Sequence, residues 1–203
     1  MKSFGQTTMS AMYHKAKRAF DVAVTLGVLA LSAPLLVIIS IAVWLTSDGP
    51  IIFRQKRVGW KAKEFIMYKF RTMLVGTNKD VDLVTKGDPR VTPVGRFLRA
   101  THLDELPQLF NILKGDMSFV GPRPEESNLA QYLALRIPGY VEALDMVPGL
   151  TGLSQLCGRE KVNRLGRRFE VKLHRWYRRN RSLAYDALLI LATIPHVLFR
   201  RGV

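Results

Sequence analysis

The chain has 203 residues, 48% of them apolar, so it holds the material for a core and is not intrinsically disordered. Lysine and arginine number 31 against 16 acids, a formal charge of +15, which implies a polyanionic neighbour: nucleic acid, an anionic membrane surface or phosphorylated substrates. The single cysteine, Cys157, excludes internal disulfides and four-thiolate metal sites and fits a reducing compartment.

From Val22 to Leu45 no residue is charged, about the length a helix needs to cross a bilayer core. The run is too long for a signal-peptide core and is followed by no small-residue cleavage site. Lys15, Lys17 and Arg18 precede it, and Arg54, Lys56, Arg57, Lys61 and Lys63 follow, so basic-residue bias gives no direction of crossing. Pro34 removes one backbone hydrogen bond in mid-segment. Two arrangements suit it: a kinked single span, or a helix that enters one leaflet, bends and leaves on the same side. Ser32 is placed to take up a freed carbonyl at such a bend. Asp21 is expected at headgroup level beside Arg18.

Gly49-Pro50 marks the exit from the apolar segment. Ile51 to Phe53 and Glu64 to Tyr68 read as short strands around a Val58-Gly59 turn. Residues 75–93 are polar and turn-rich, the composition of a long binding loop. Helices are expected over Arg96 to Ala100, Asp104 to Leu113 and Glu125 to Leu135, and a loop over Pro148 to Gly158. Leu183 to Phe199 is apolar apart from Asp186, and arginines bracket it. That pattern suits a helix lying in the headgroup interface, with a buried core helix as the alternative.

The densest chemistry lies between Thr101 and Pro124. Asp104 and Glu105 are adjacent acids read at a helix start, where the dipole favours the ionised form of a nucleophilic carboxylate. In Gly121-Pro122-Arg123-Pro124 the prolines stiffen the chain around one guanidinium, whose fork suits phosphate oxygens. Lys69 and Arg71, two apart on a strand, share a face. A capped helix, a surface turn and a solvated strand face are the plain alternatives for these three features. The sequence contains no P-loop, dinucleotide fingerprint, zinc spacing or nucleophile elbow.

Together these segments resemble the small monotopic bacterial phosphoglycosyl transferases, which start glycan assembly on polyprenyl phosphate. The likeness runs from Lys17 to Val203. It is carried in order by Lys17-Arg18 with Asp21, Tyr68 to Met73, Leu103 to Gln108, Lys114 to Ser118, Gly121 to Pro124, and Pro148 to Gly152 with Gln155, Gly158 and Arg159. The resemblance implies a mostly α fold with a small β element (α+β). Residues 1–18 would be a basic N-terminal segment and 19–46 a re-entrant membrane helix broken near Pro34. Residues 47–181 would be a compact cytoplasmic catalytic domain, and 182–203 an interfacial amphipathic helix.

It further implies magnesium-dependent transfer of a phosphosugar from a UDP-sugar to polyprenyl (undecaprenyl) phosphate, releasing UMP, on the cytoplasmic face of the bacterial inner membrane. By motif position Asp104 is the nucleophile and Glu105 its acidic partner, both candidates for Mg²⁺. Arg123, Lys69, Arg71, Gln155 and Arg159 become candidate phosphate or substrate ligands, and Ser32 and Pro34 the bend. The implied partners are the UDP-sugar, the lipid phosphate and anionic phospholipid, with a homodimer as one assembly and no nucleic acid. Ala33 separates Ser32 from Pro34 where the family has the two adjacent. His102 replaces a common serine, and His174 a common aspartate. The competing readings are an inactive relative serving as scaffold and a membrane-anchored nucleic-acid-binding protein. The intact Asp104, Glu105 and Arg123 weigh against the first, and the lack of a recognition module against the second.

Overall fold

The computed structural model describes residues 4–76, 87–143 and 145–199. Its largest element is the helix α1, Phe4–Thr46, which includes Pro34 and is about 65 Å long at the ordinary helical rise. It thus takes in most of the basic segment expected at residues 1–18. One stripe of α1 is covered: Lys17, Asp21 and Thr25 in its first half, Ile39 and Val43 in its second, with half-buried Val28, Ser32 and Leu36 between them. These positions recur every three to four residues, the spacing of a single helix face. The opposite face presents Leu26, Leu31, Val37, Ile38, Ile41, Trp44 and Leu45. The Met12–Thr46 stretch is long and apolar enough to cross a membrane. Ser32 Oγ donates to Val28 O at 2.7 Å. It therefore does not serve the Ala30 carbonyl, the one that Pro34 leaves without its usual partner.

After α1 the chain forms an antiparallel hairpin, β1 (Ile52–Val58) and β2 (Glu64–Phe70), with Ile52 opposite Phe70 and Val58 opposite Glu64. Both strands are longer than the sequence suggests, because hairpin pairing carries them through the charged residues Arg54, Lys56 and Arg57. Helix α2 (Pro93–Ala100) follows the turn-rich region, of which residues 77–86 lie outside the described residues. Thr92 caps α2, its Oγ1 accepting from Gly95 N at 2.9 Å. A Cβ on Gly95 would lie 2.1 Å from the Thr72 carbonyl oxygen. The helix thus sits directly on the backbone that leaves β2. Gly95→Ala is expected to destabilise the protein by about 2–3 kcal/mol, since the obstructing atom is backbone and cannot rotate away. Thermal unfolding checks this, and an unchanged midpoint would mean that the approach is looser than described.

Helix α3 (Gln108–Lys114) packs beside β2. Asn111, fully buried, replaces a third strand: its Nδ2 donates to Ile66 O at 2.7 Å and its Oδ1 accepts from Tyr68 N at 3.0 Å. Arg18 of α1 caps α3, donating to the carbonyls of Ile112 and Leu113. Strand β3 (Ser118–Val120) pairs in parallel with β4 (Gly149–Thr151). Helices α4 (Ser127–Arg136), α5 (Tyr140–Ala143), α6 (Leu153–Cys157), α7 (Arg159–Leu165), α8 (Arg167–Asn180) and α9 (Leu183–Phe199) complete the domain.

The loop expected over Pro148 to Gly158 is therefore β4 and α6. The helix expected from Asp104 is also corrected. Residues Leu103–Glu105 form a single 3₁₀ turn, and α3 begins only at Gln108, after Pro107.

The main core joins Met67 of β2, Leu109 and Ile112 of α3, Phe119 and Val120 of β3, Tyr177 of α8 and Leu189 of α9. A second cluster joins Ile39 and Val43 of α1 to Phe70 and Leu98. Both halves of α1 consequently pack on one domain. Its first half is tied down by Asp186, a fully buried carboxylate of α9. That carboxylate accepts from Lys17 Nζ at 2.7 Å, Tyr177 Oη at 2.6 Å and Tyr13 Oη at 3.2 Å.

Candidate active site

Two pieces of chain far apart in sequence, β2 and the Gly121-Pro122-Arg123-Pro124 loop, converge on the 3₁₀ turn that carries Asp104 and Glu105. The turn follows His102, which adopts a left-handed backbone (φ 57°, ψ 13°) and so swings the chain sharply out of α2. From β2, Lys69 Nζ reaches Glu105 Oε1 at 2.6 Å. From the Gly121-Pro122-Arg123-Pro124 loop, Arg123 Nη2 reaches the same oxygen at 3.1 Å.

That loop is held by the second glycine motif. Gly121 N donates to Thr151 O at 2.9 Å, and Gly149 N donates to Pro122 O at 2.8 Å. A Cβ on Gly121 would stand 2.3 Å from Val147 O, and one on Gly149 2.1 Å from Gly121 N. Two backbones this close admit no side chain. The contact fixes Arg123 against the acids.

The two acids differ sharply. Burial raises Glu105, but Lys69 and Arg123 more than offset it and hold its carboxyl far below the ordinary glutamate range. It is a fixed anion between two cations. Asp104 is 9% exposed and makes no hydrogen bond or ion pair with any described residue. Burial pushes its pKa up, neighbouring Glu105 adds to the rise, and Lys69, Arg99 and His102 oppose it. The low pKa expected from a helix N-terminus is thus corrected. Asp104 lies in a 3₁₀ turn ahead of α3, and desolvation outweighs the nearby cations.

Of the expected phosphate ligands, Lys69 and Arg123 both stand on Glu105. Arg71, one strand repeat beyond Lys69, points elsewhere, donating through Nη2 to Ser47 O at 2.5 Å. Gln155 accepts from Ser154 Oγ at 2.8 Å and donates to Gly149 O at 3.5 Å, bracing the glycine motif. The side chain of Arg159 lies outside the described residues. His174 is buried beside Ser154 Oγ at 3.2 Å, and burial lowers its pKa to about 4, so it is neutral near pH 7.

Sequence reasoning missed Arg99, which donates through Nε to Thr72 Oγ1 at 2.8 Å and acts electrostatically on Asp104. Its signal was its place in the last turn of α2, five residues before the acid.

This arrangement, one fixed anion, one unpartnered buried carboxylate and three cations, is suited to nucleophilic attack on a phosphorus. The family model for bacterial sugar transferase matches residues 12–200, which include every residue of the site. The chain belongs to the bacterial sugar transferase family.

Among its relatives, a UDP-glucose:undecaprenyl-phosphate glucose-1-phosphate transferase of Klebsiella pneumoniae is 45% identical over 184 residues, 88% of this chain and 39% of the relative. A protein of the same name from Caulobacter vibrioides is 42% identical over 187 residues, 90% of this chain and 69% of the relative. An undecaprenyl-phosphate galactose phosphotransferase of Salmonella typhimurium is 39% identical, covering 92% of this chain and 41% of the relative. The chain thus spans about two fifths of the length of two of these relatives.

Proposed function

We propose that the protein is a membrane-bound phosphoglycosyl transferase that moves a sugar phosphate from a UDP-sugar to polyprenyl phosphate. The observation that carries this reading is the pairing of an unpartnered, buried Asp104 with a Glu105 locked between Lys69 and Arg123. In the first step an Asp104 carboxylate oxygen attacks the sugar-bearing phosphorus. The bond from that phosphorus to the bridging oxygen breaks, and UMP leaves with the electron pair. In the second step a phosphate oxygen of the lipid attacks the same phosphorus and displaces the Asp104 carboxylate. Lys69, Arg99 and Arg123 counter the charge of the diphosphate, which would otherwise repel an anionic nucleophile.

Among the described residues no group of three or more His, Cys, Asp or Glu side chains stands together. Asp104 and Glu105 are adjacent hard oxygen donors, a set that would suit a cation sharing them with the substrate phosphates, the usual manner of Mg²⁺. Bound there, Mg²⁺ would supply charge neutralisation at the phosphoryl oxygens.

The covered stripe of α1 supports a re-entrant placement. A helix whose two halves pack on one domain cannot put its ends on opposite sides of a bilayer while that domain stays out of the hydrocarbon. The exposed apolar face then enters one leaflet, with both basic flanks on the cytoplasmic side, and the active site is held at headgroup depth.

Incubating the purified chain with a panel of UDP-sugars, Mg²⁺ and undecaprenyl phosphate should release UMP and carry sugar label into the lipid phase. Release with no donor would overturn the reading. The pH profile is a second check. Because Asp104 is raised from 3.8, the acid limb of kcat/KM should fall above the ordinary aspartate range, and Lys69→Met should move it higher still. An acid limb unmoved by that substitution would mean that Lys69 does not face the nucleophile.

A further inference from the structure

The loop that carries Arg123 is held on its downstream side by side chains that the mechanism above does not use. After Pro124 the chain runs extended along the end of β1, where Val58 N donates to Glu125 O at 2.8 Å. Successive side chains of an extended segment point to opposite sides. Glu125 accordingly meets Arg167 of α8 at 2.6 Å, and Glu126 meets Arg57 of β1 at 3.0 Å. The two acids pin the loop between a helix and a strand.

On the strand side the contacts close into a ring. Arg57 donates to Gln55 Oε1 through Nε at 3.2 Å and through Nη2 at 2.7 Å. Gln55 Nε2 in turn donates to Glu126 Oε1 at 2.8 Å, the oxygen that Arg57 Nη2 also reaches. Nη1 turns toward the Pro124 carbonyl at 3.5 Å. The Nε–Nη2 edge, the fork that would take a phosphate, is thus spent on Gln55. Arg57 serves the loop and not a ligand.

The hairpin connects this ring to the reacting acids. Phe53 stands opposite Lys69, Gln55 opposite Met67 and Arg57 opposite Phe65, so Lys69, Gln55 and Arg57 lie on one face of the β1–β2 pair. That face carries two arms. Lys69 reaches Glu105 Oε1 directly at 2.6 Å. Arg57 holds the segment that follows Arg123, whose Nη2 meets the same oxygen at 3.1 Å. Arg123 and Glu105 both act electrostatically on Arg57, which belongs to the same charge cluster.

We propose that Arg57 and Gln55, acting through Glu126, are positioning residues that hold Arg123 at the spacing from Lys69 that the donor's phosphates require. This rests on the transferase reading above. Without the ring the loop keeps its glycine contact with β4 but loses its tie to the hairpin that carries Lys69. The two cations are then no longer fixed relative to each other.

The test uses the full chain in detergent micelles with a UDP-sugar and a saturating polyprenyl phosphate. Turnover is followed as sugar label carried into the lipid phase over hours, so that slow variants are counted. Arg57→Gln is expected to lower kcat/KM for the donor about tenfold per folded molecule, and Arg57→Lys, which keeps the charge, should recover part of it. In an Arg123→Gln background the same Arg57→Gln change should cost less than about twofold, because the residue it positions is gone. Glu126→Gln is the second variant: its side chain is 44% exposed, so the fold tolerates it, and it should lower donor kcat/KM about threefold.

An unchanged donor kcat/KM per folded molecule in both Arg57→Gln and Glu126→Gln overturns the proposal. So does an equal loss from Arg57→Gln with and without Arg123, which would make Arg57 act independently of that arginine. A wild type that transfers no label from any donor overturns the transferase reading instead, a result distinguishable from either.

Discussion

Asp104→Asn is expected to lower turnover by about 10³-fold or more while leaving the fold and membrane association intact. The amide has the shape of the carboxylate but not its nucleophilic anion, and no described partner of Asp104 is lost. Because burial already disfavours the charge, the neutral variant should melt at or slightly above the wild-type midpoint. Glu105→Gln should behave in the opposite sense. It leaves Lys69 and Arg123 with a weaker acceptor, so both stability and activity fall. Steady-state turnover and thermal melts on the two variants separate the roles, and a fully active Asp104→Asn would remove the nucleophile assignment.

Asp186→Ala should have the largest effect on stability. The carboxylate is fully buried and collects Lys17, Tyr177 and Tyr13 in one cluster. Removing it leaves the buried Lys17 ammonium at 3.9 Å from Asp21 as its nearest anion, a loss of about 3–5 kcal/mol for a broken buried pair. Tyr177→Phe removes only one hydrogen bond to the same carboxylate and should cost about 1.5–3 kcal/mol. Since Lys17 lies on α1 and Asp186 on α9, the damage should appear first as release of the N-terminal half of α1. Hydrogen exchange there would report it. Equal melting of Asp186→Ala and wild type would show the cluster to be dispensable.

What the sequence reveals here is local. The apolar run, the Asp104-Glu105 pair and the proline-fixed Arg123 are each legible within a few residues, and Lys69 follows from strand period. The parts that escape it are tertiary. β3 and β4 are three residues each, too short for periodicity, and they pair in parallel only because Gly121 and Gly149 let two backbones meet. Asn111 looks like an ordinary helical residue until the edge of β2 lies beside it. The helix expected at Asp104 fails because His102 turns left-handed and Pro107 delays α3. Desolvation, which sets the pKa of Asp104, cannot be read from neighbours in the chain. For the same reason Lys69 and Arg71 look alike in sequence but differ in the fold, one paired with Glu105 and the other without an anion.

The most direct measurement of the covalent mechanism is intact-protein mass after incubation with UDP-sugars and Mg²⁺ in the absence of lipid acceptor. The expected result is a gain of one sugar phosphate with one donor, discharged on adding polyprenyl phosphate and absent from Asp104→Asn. Lipid-dependent UMP release with no adduct at any time of quenching, or an adduct that persists in Asp104→Asn, would contradict transfer through that aspartate.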